Sequence, residues 1–113
     1  MPNRAAWAEI DLGALAHNYR EIRSRIQKGA KLCAVVKADA YGHGAIAAAR
    51  VALDEGADYL AVATLSEALK LRAAGFTAPL LILGLVEPES AREVVDGDIT
   101  QTVCRMDLVE ALS

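Results

Sequence analysis

Apolar positions along the chain recur with two alternating periods. Leu12, Leu15, Tyr19, Ile22 and Ile26 fall at helical spacing, with Arg20, Glu21, Arg23 and Arg25 on the other faces. Asp11 stands where its carboxylate can cap the helix they predict, and Gly29 ends it. Ahead of that helix, Trp7 to Asp11 reads as a short strand. Behind it come a continuous apolar run, Leu32 to Val36, a glycine-rich loop, and an alanine-rich helix from about Ala45 to Asp54 closed by Gly56. The order then repeats. Tyr59 to Ala63 predicts a strand, and Thr64 with Glu67 forms a T-x-x-E capping box opening a helix that runs to Ala74 and stops at Gly75. Leu80 to Leu83 predicts another strand, and Pro88 suits the first position of a helix through Ala91 to Val95. Ile99 to Val103 predicts a further strand, and a last helix begins near Met106 with Leu108, Val109 and Leu112 on its apolar face.

Glycines 29, 56, 75 and 97 each fall between a helix and the next strand, one roughly every 19 to 27 residues. Strands alternating with helices predict an α/β fold with a parallel sheet. Runs apolar on both faces, such as Leu80-Leu81-Ile82-Leu83, suit strands covered on both sides, as in a barrel or a doubly wound sheet. The repeat is architectural, because no residue-level repeat accompanies it.

Composition narrows the function classes. The 113 residues are 54% hydrophobic and 24% charged, which excludes a disordered chain. A net charge of −3 with interspersed signs provides neither a basic stripe for nucleic acid nor a polybasic membrane patch. No apolar run is long enough to span a bilayer, and the first residues lack a signal peptide's apolar stretch, so a cytoplasmic protein is expected. Cys33 and Cys104 lie in apolar segments without CxxC spacing or a nearby histidine pair, which predicts buried, reduced thiols rather than a disulfide or a metal site.

The chemistry concentrates after Val36. The segment VVKADAYGHG places Lys37 at the carboxyl end of a buried parallel strand, the edge where ligands and catalytic groups collect in such folds. Asp39, Tyr41 and His43, set among small residues, bring polar groups to the same mouth. A lysine there also suits plain solvation, and a loop tyrosine also suits packing its ring on the mouth. Gly42 to Ala47 satisfies the G-x-G-x-x-A dinucleotide fingerprint, but five residues separate its first glycine from the strand, where the tight turn should follow directly. His17 reads as a surface histidine. Asp54, Glu55, Asp58 and Glu67 are spread over different units and form no paired-carboxylate site.

Ala34 to Gly44, AVVKADAYGHG, resembles the signature of the alanine racemases, pyridoxal 5'-phosphate enzymes in which many members carry Asn where this chain has Asp39. AEIDLGALAHNYR from Ala8 to Arg20 and PLLILGLVEPE from Pro79 to Glu89 are similar to the same family, so the resemblance covers nearly the whole chain. It implies an incomplete (βα)8 TIM barrel with about four parallel strands and covering helices, since a full barrel takes about 250 residues. Residues 1–11 would hold a strand pairing with a separate β domain, and 12–113 the first half of the barrel. Lys37 would carry the cofactor as a Schiff base, Tyr41 would contact it at the phosphate through its hydroxyl, and Leu83, otherwise a plain core leucine, would line the pocket. The implied activity is two-base interconversion of L- and D-alanine, supplying D-alanine for the peptidoglycan of a bacterial cell wall, in a cytoplasmic homodimer. The tyrosine acting on the opposite face, the arginine facing the pyridine nitrogen and most phosphate ligands belong to later segments. The chain resembles the first third of such an enzyme and is expected to be inactive alone. A broad-specificity amino-acid racemase and a non-catalytic cofactor-binding module are the alternatives.

Overall fold

The computed structural model describes residues 6–113. Among these, four strands form one parallel sheet: β1 (Cys33–Val35), β2 (Tyr59–Val62), β3 (Leu80–Ile82) and β4 (Thr100–Gln101). The helices are α1 (Leu12–Arg25), α2 (Ala45–Asp54), α3 (Leu65–Ala73), α4 (Ala91–Asp96, entered through a 3-10 turn at Pro88–Ser90) and α5 (Met106–Leu112).

Strand order follows chain order, β1-β2-β3-β4, with no reversal. Right-handed crossovers that all step the same way put every helix on one face, which is barrel winding and not the doubly wound arrangement. Burial agrees. Ala34, Val36, Leu60, Val62, Leu80 and Ile82 point into a core shared with Ala48, Ala49 and Ala52 of α2 and Ala68 and Leu71 of α3. Alanines at the contact let these helices approach the strands closely. The other face carries Cys33, Val35, Ala61 and Leu81, and among the described residues no helix packs over it: Ala61 is buried between its strand neighbours, but Val35 at the edge is 37% exposed. The chain is thus an incomplete TIM barrel of four parallel strands.

Local signals set most of the boundaries. Asp11 caps α1 by accepting from Ala14 N–H at 3.0 Å. The predicted capping box is formed, with Thr64 Oγ1 accepting Glu67 N–H and the Glu67 carboxylate accepting Thr64 N–H. Arg20 pairs with Glu55 at 2.8 Å and Arg23 with Asp58 at 3.3 Å, fastening α1 to the turn after α2.

Several expectations need correction. No residue of α1 is buried; Leu15 and Tyr19 lean on the core while Leu12 and Ile22 remain exposed, because only part of the helical stripe meets α2. The helix also ends at Arg25, short of Gly29. The strand expected over Ile99 to Val103 is confined to Thr100 and Gln101, with Thr102 N–H adding one further bond to Ile82 O at 3.2 Å. Trp7 to Asp11 has no ladder partner and is not a strand here; residues 1–5 lie outside the described ones. Cys33 and Cys104 are exposed, not buried. Cys33 falls on the uncovered face of the other edge strand, so an apolar neighbourhood in sequence did not mean cover in space.

Candidate active site

The carboxyl ends of the strands form a rim, and the rim's first residue is Lys37. Val36 N–H still bonds across to Ala61 O at 2.8 Å, so the sheet holds the backbone up to the residue before the lysine. The next four residues turn the wrong way for L-amino acids. Ala38, Asp39, Ala40 and Tyr41 all have φ between +51° and +57°, a left-handed helical turn without a glycine inside it. Each such residue costs on the order of 1–2 kcal/mol, and the conformation ordinarily occurs singly. The sequence predicted only a glycine-rich loop here.

Hydrogen bonds account for the turn's persistence. Ala40 N–H donates to Val36 O at 2.9 Å, and Gly44 N–H to Asp39 O at 2.8 Å. Gly42, at φ +91°, ends the turn with its N–H shared between Ala38 O and Asp39 O. His43 Nδ1 lies 2.9 Å from Ala40 O, and because a carbonyl only accepts, Nδ1 is the nitrogen bearing the proton. Two carboxylates brace the turn from its ends. Asp39 Oδ1 accepts Ala45 N–H at 2.7 Å, capping α2. Glu67 Oε2 accepts Ala38 N–H, the first peptide group after Lys37.

The turn folds Tyr41 back toward Lys37, whose Nζ lies 6.0 Å from the ring centroid. Lys37 is half-buried, whereas Tyr41 is 62% exposed, so its ring does not pack into the mouth. Leu83, one residue past β3, is 43% exposed and therefore not a core leucine; its N–H is held by Val62 O at 2.8 Å. The structure brings Lys37, Tyr41 and Leu83 to one rim, with Lys37 and Leu83 at the ends of β1 and β3. His17 is exposed on α1, as expected.

A chain of hydrogen bonds runs around this rim. Glu67 Oε2 takes Ala38 N–H while Oε1 takes Ala63 N–H at 2.8 Å and Thr64 N–H at 3.1 Å. Ala63 O then accepts Gly84 N–H at 3.1 Å, and Gly84 O accepts Gln101 Nε2 at 2.8 Å. Gly84 is required: a Cβ there would collide with Ala63 O. Partial desolvation pushes the Glu67 carboxyl up, but the N–H donors of Ala63, Ala38 and Thr64 and the Thr64 hydroxyl more than offset it and leave it below the ordinary carboxylate value. Sequence reasoning placed Glu67 only in a capping box; its second oxygen reaches a partner 29 residues away, which no local signal marks.

The dinucleotide alternative loses its geometry. A pyrophosphate on the G-x-G-x-x-A segment needs the free N–H groups at the start of α2, and the Asp39 carboxylate already takes Ala45 N–H.

The fold and rim define a partial βα barrel presenting a half-buried lysine, beside a phenol, at the mouth where such barrels bind ligands. Comparison with known proteins narrows this: the family model for the alanine racemase N-terminal domain matches residues 10–113, and the chain belongs to that family. It is 51% identical over 111 residues to the alanine racemase of Desulfovibrio desulfuricans, covering 98% of this chain and 30% of that protein. The alanine racemase of Methanococcus maripaludis is 44% identical over 112 residues, covering 99% and 30%. The crystal structure of alanine racemase from Bacillus anthracis with bound L-Ala-P superposes with a TM-score of 0.92 at 40% identity, over 99% of this chain and 29% of that one. The chain thus spans about 30% of the length of the curated relatives it matches. No helix among the described residues is long and apolar enough to cross a membrane.

Proposed function

We propose that this chain is the amino-terminal barrel segment of a pyridoxal phosphate-dependent alanine racemase, a cytoplasmic bacterial homodimer that interconverts L- and D-alanine for cell-wall synthesis. Residues 12–113 supply the first half of its barrel, and 1–11 pair with a β domain elsewhere in the enzyme. The observation that carries the reading is Lys37: a primary amine held at the barrel mouth by a strained, heavily braced turn, in a chain of this family.

The residues at the rim fit the cofactor. An amine suits its aldehyde, the exposed Tyr41 hydroxyl suits a phosphate oxygen, and the uncovered side chain of Leu83 suits the face of a flat ring. In this reading Lys37 holds the cofactor through Nζ, Tyr41 steadies its phosphate and Leu83 lines its pocket. When bound, pyridoxal phosphate supplies an electron sink that makes the α-proton of an amino acid removable.

The chain's own contribution is positional and protonic. Nζ of Lys37, a primary amine, is the nucleophile that the cofactor's aldehyde calls for. Afterwards Nζ moves a proton on one face of the substrate's α-carbon. Inverting that carbon requires a second acid-base group on the opposite face, which this reading assigns to the remainder of the enzyme and, through the dimer, to the partner subunit. Assay of the full-length protein against a panel of L-amino acids tests the proposal. D-alanine as the dominant product, lost in Lys37→Ala, supports it; equal turnover of many amino acids replaces it with a broad-specificity racemase, and no turnover of any removes the catalytic reading.

A further inference from the structure

We propose that Glu67 is a positioning residue for Lys37, acting through the backbone N–H of Ala38, where its carboxylate joins the left-handed turn to the end of β2. The inference rests on the reading of Lys37 as the cofactor lysine and goes beyond it by naming what fixes that lysine's backbone.

The carboxylate divides its two oxygens. Oε1 serves the helix, accepting Ala63 and Thr64 N–H; Oε2 serves the lysine, accepting the N–H of the peptide that joins Lys37 to Ala38. A capping box needs only the first. The second is the sole side-chain contact to the turn's leading peptide group among the hydrogen bonds of the described residues, and it comes from a residue 29 positions away. It sits where it matters most. At the start of a helical turn the first N–H groups have no partner within the turn, so Ala38 N–H must be satisfied from outside. Left-handed backbone is unfavourable for alanine, and the turn persists where neighbours over-determine it. Since the Lys37–Ala38 peptide is the hinge between strand and turn, fixing it fixes the direction in which the lysine side chain leaves the rim.

Two substitutions separate positioning from capping. Glu67→Gln keeps one oxygen for the helix but sets an amide NH2 against Ala38 N–H, donor facing donor, so the turn loses its anchor. Thr64→Ala removes the other half of the capping box, the acceptor of Glu67 N–H, and leaves the carboxylate's contact with Ala38 in place. In the full-length protein, Glu67→Gln should speed amide exchange at Ala38 in the cofactor-free form by about tenfold and weaken pyridoxal phosphate binding, followed by absorbance titration, by about tenfold. Thr64→Ala should lower the thermal midpoint comparably and change neither quantity. A wild-type value of either quantity in Glu67→Gln, or equal changes in Thr64→Ala, overturns the proposal. Lys37→Ala is the control for the underlying reading: if it binds the cofactor as the wild type does, the cofactor reading fails, while the exchange comparison still decides whether Glu67 anchors Ala38.

Discussion

Asp39, in the middle of the left-handed turn, accepts the backbone N–H of Ala45 at 2.7 Å, so the turn that follows Lys37 also caps the helix that comes after it. Only an oxygen acceptor is required at that position. An asparagine amide oxygen can make the same contact, and both residues tolerate left-handed backbone. Asp39→Asn should therefore change stability by less than about 0.5 kcal/mol, whereas Asp39→Ala should cost about 1 kcal/mol or more through loss of the cap. Urea unfolding of the full-length variants reads the difference.

The turn's strain is separately testable at Ala38, which has an exposed side chain and φ of +51°. A branched side chain crowds left-handed backbone, so Ala38→Val should destabilise by about 2 kcal/mol although it displaces nothing in the core. Ala38→Gly relieves the strain but adds freedom to the unfolded chain, and its net effect should stay within about 1 kcal/mol. Equal stability of the valine variant and the wild type would show that the turn is not strained.

Glu67 ties stability to acid pH. Its carboxyl lies below the ordinary value in the folded protein, so the folded state favours the ionised form. The contribution is present above the unfolded value of about 4.5 and is lost as pH falls through the lower folded value. Thermal midpoints should fall below about pH 4.5, and the fall should be shallower in Glu67→Gln. Parallel curves for the two proteins would assign acid sensitivity elsewhere.

At the alkaline end the sign reverses. Cys33 is exposed as a residue, but partial desolvation of its sulfur raises the thiol above its usual value, and burial, with the nearby Cys33 thiolate adding to it, does the same for the Tyr19 phenol. Both are therefore held in the neutral form by folding, and their contribution is complete below pH 9 and erodes as pH rises through the folded values. The midpoint should decline above pH 9, with a smaller decline in Tyr19→Phe.

Among the described residues, β1 and β4 each have one strand neighbour, which leaves two sheet edges unpaired, and one sheet face has no helix over it. Open edges with apolar neighbours pair with other chains. Sedimentation velocity on this chain should show concentration-dependent association; a stable monomer with cooperative unfolding would contradict that.

What the sequence made legible was what is decided locally. The limits of α2 and α3 follow from Thr64, Glu67 and the glycines behind them, and the parallel sheet follows from the alternation of elements. The motif around Lys37 located the rim. Decisions made at long range were not legible. The left-handed turn depends on Glu67 meeting Ala38 across 29 residues, and periodicity carries no trace of that. Cys33 and Leu83 sit in apolar runs, yet both lie exposed, because cover on the second face of a strand is a property of the assembled barrel.

The central claim is that Lys37 is the residue that holds the cofactor. It is tested most directly by treating the full-length protein, loaded with pyridoxal phosphate, with borohydride and locating the modified residue by peptide mass. The account predicts a reduced pyridoxyl adduct on Lys37, with visible absorbance lost in Lys37→Ala. An adduct on a different lysine, or an undiminished chromophore in Lys37→Ala, would contradict it.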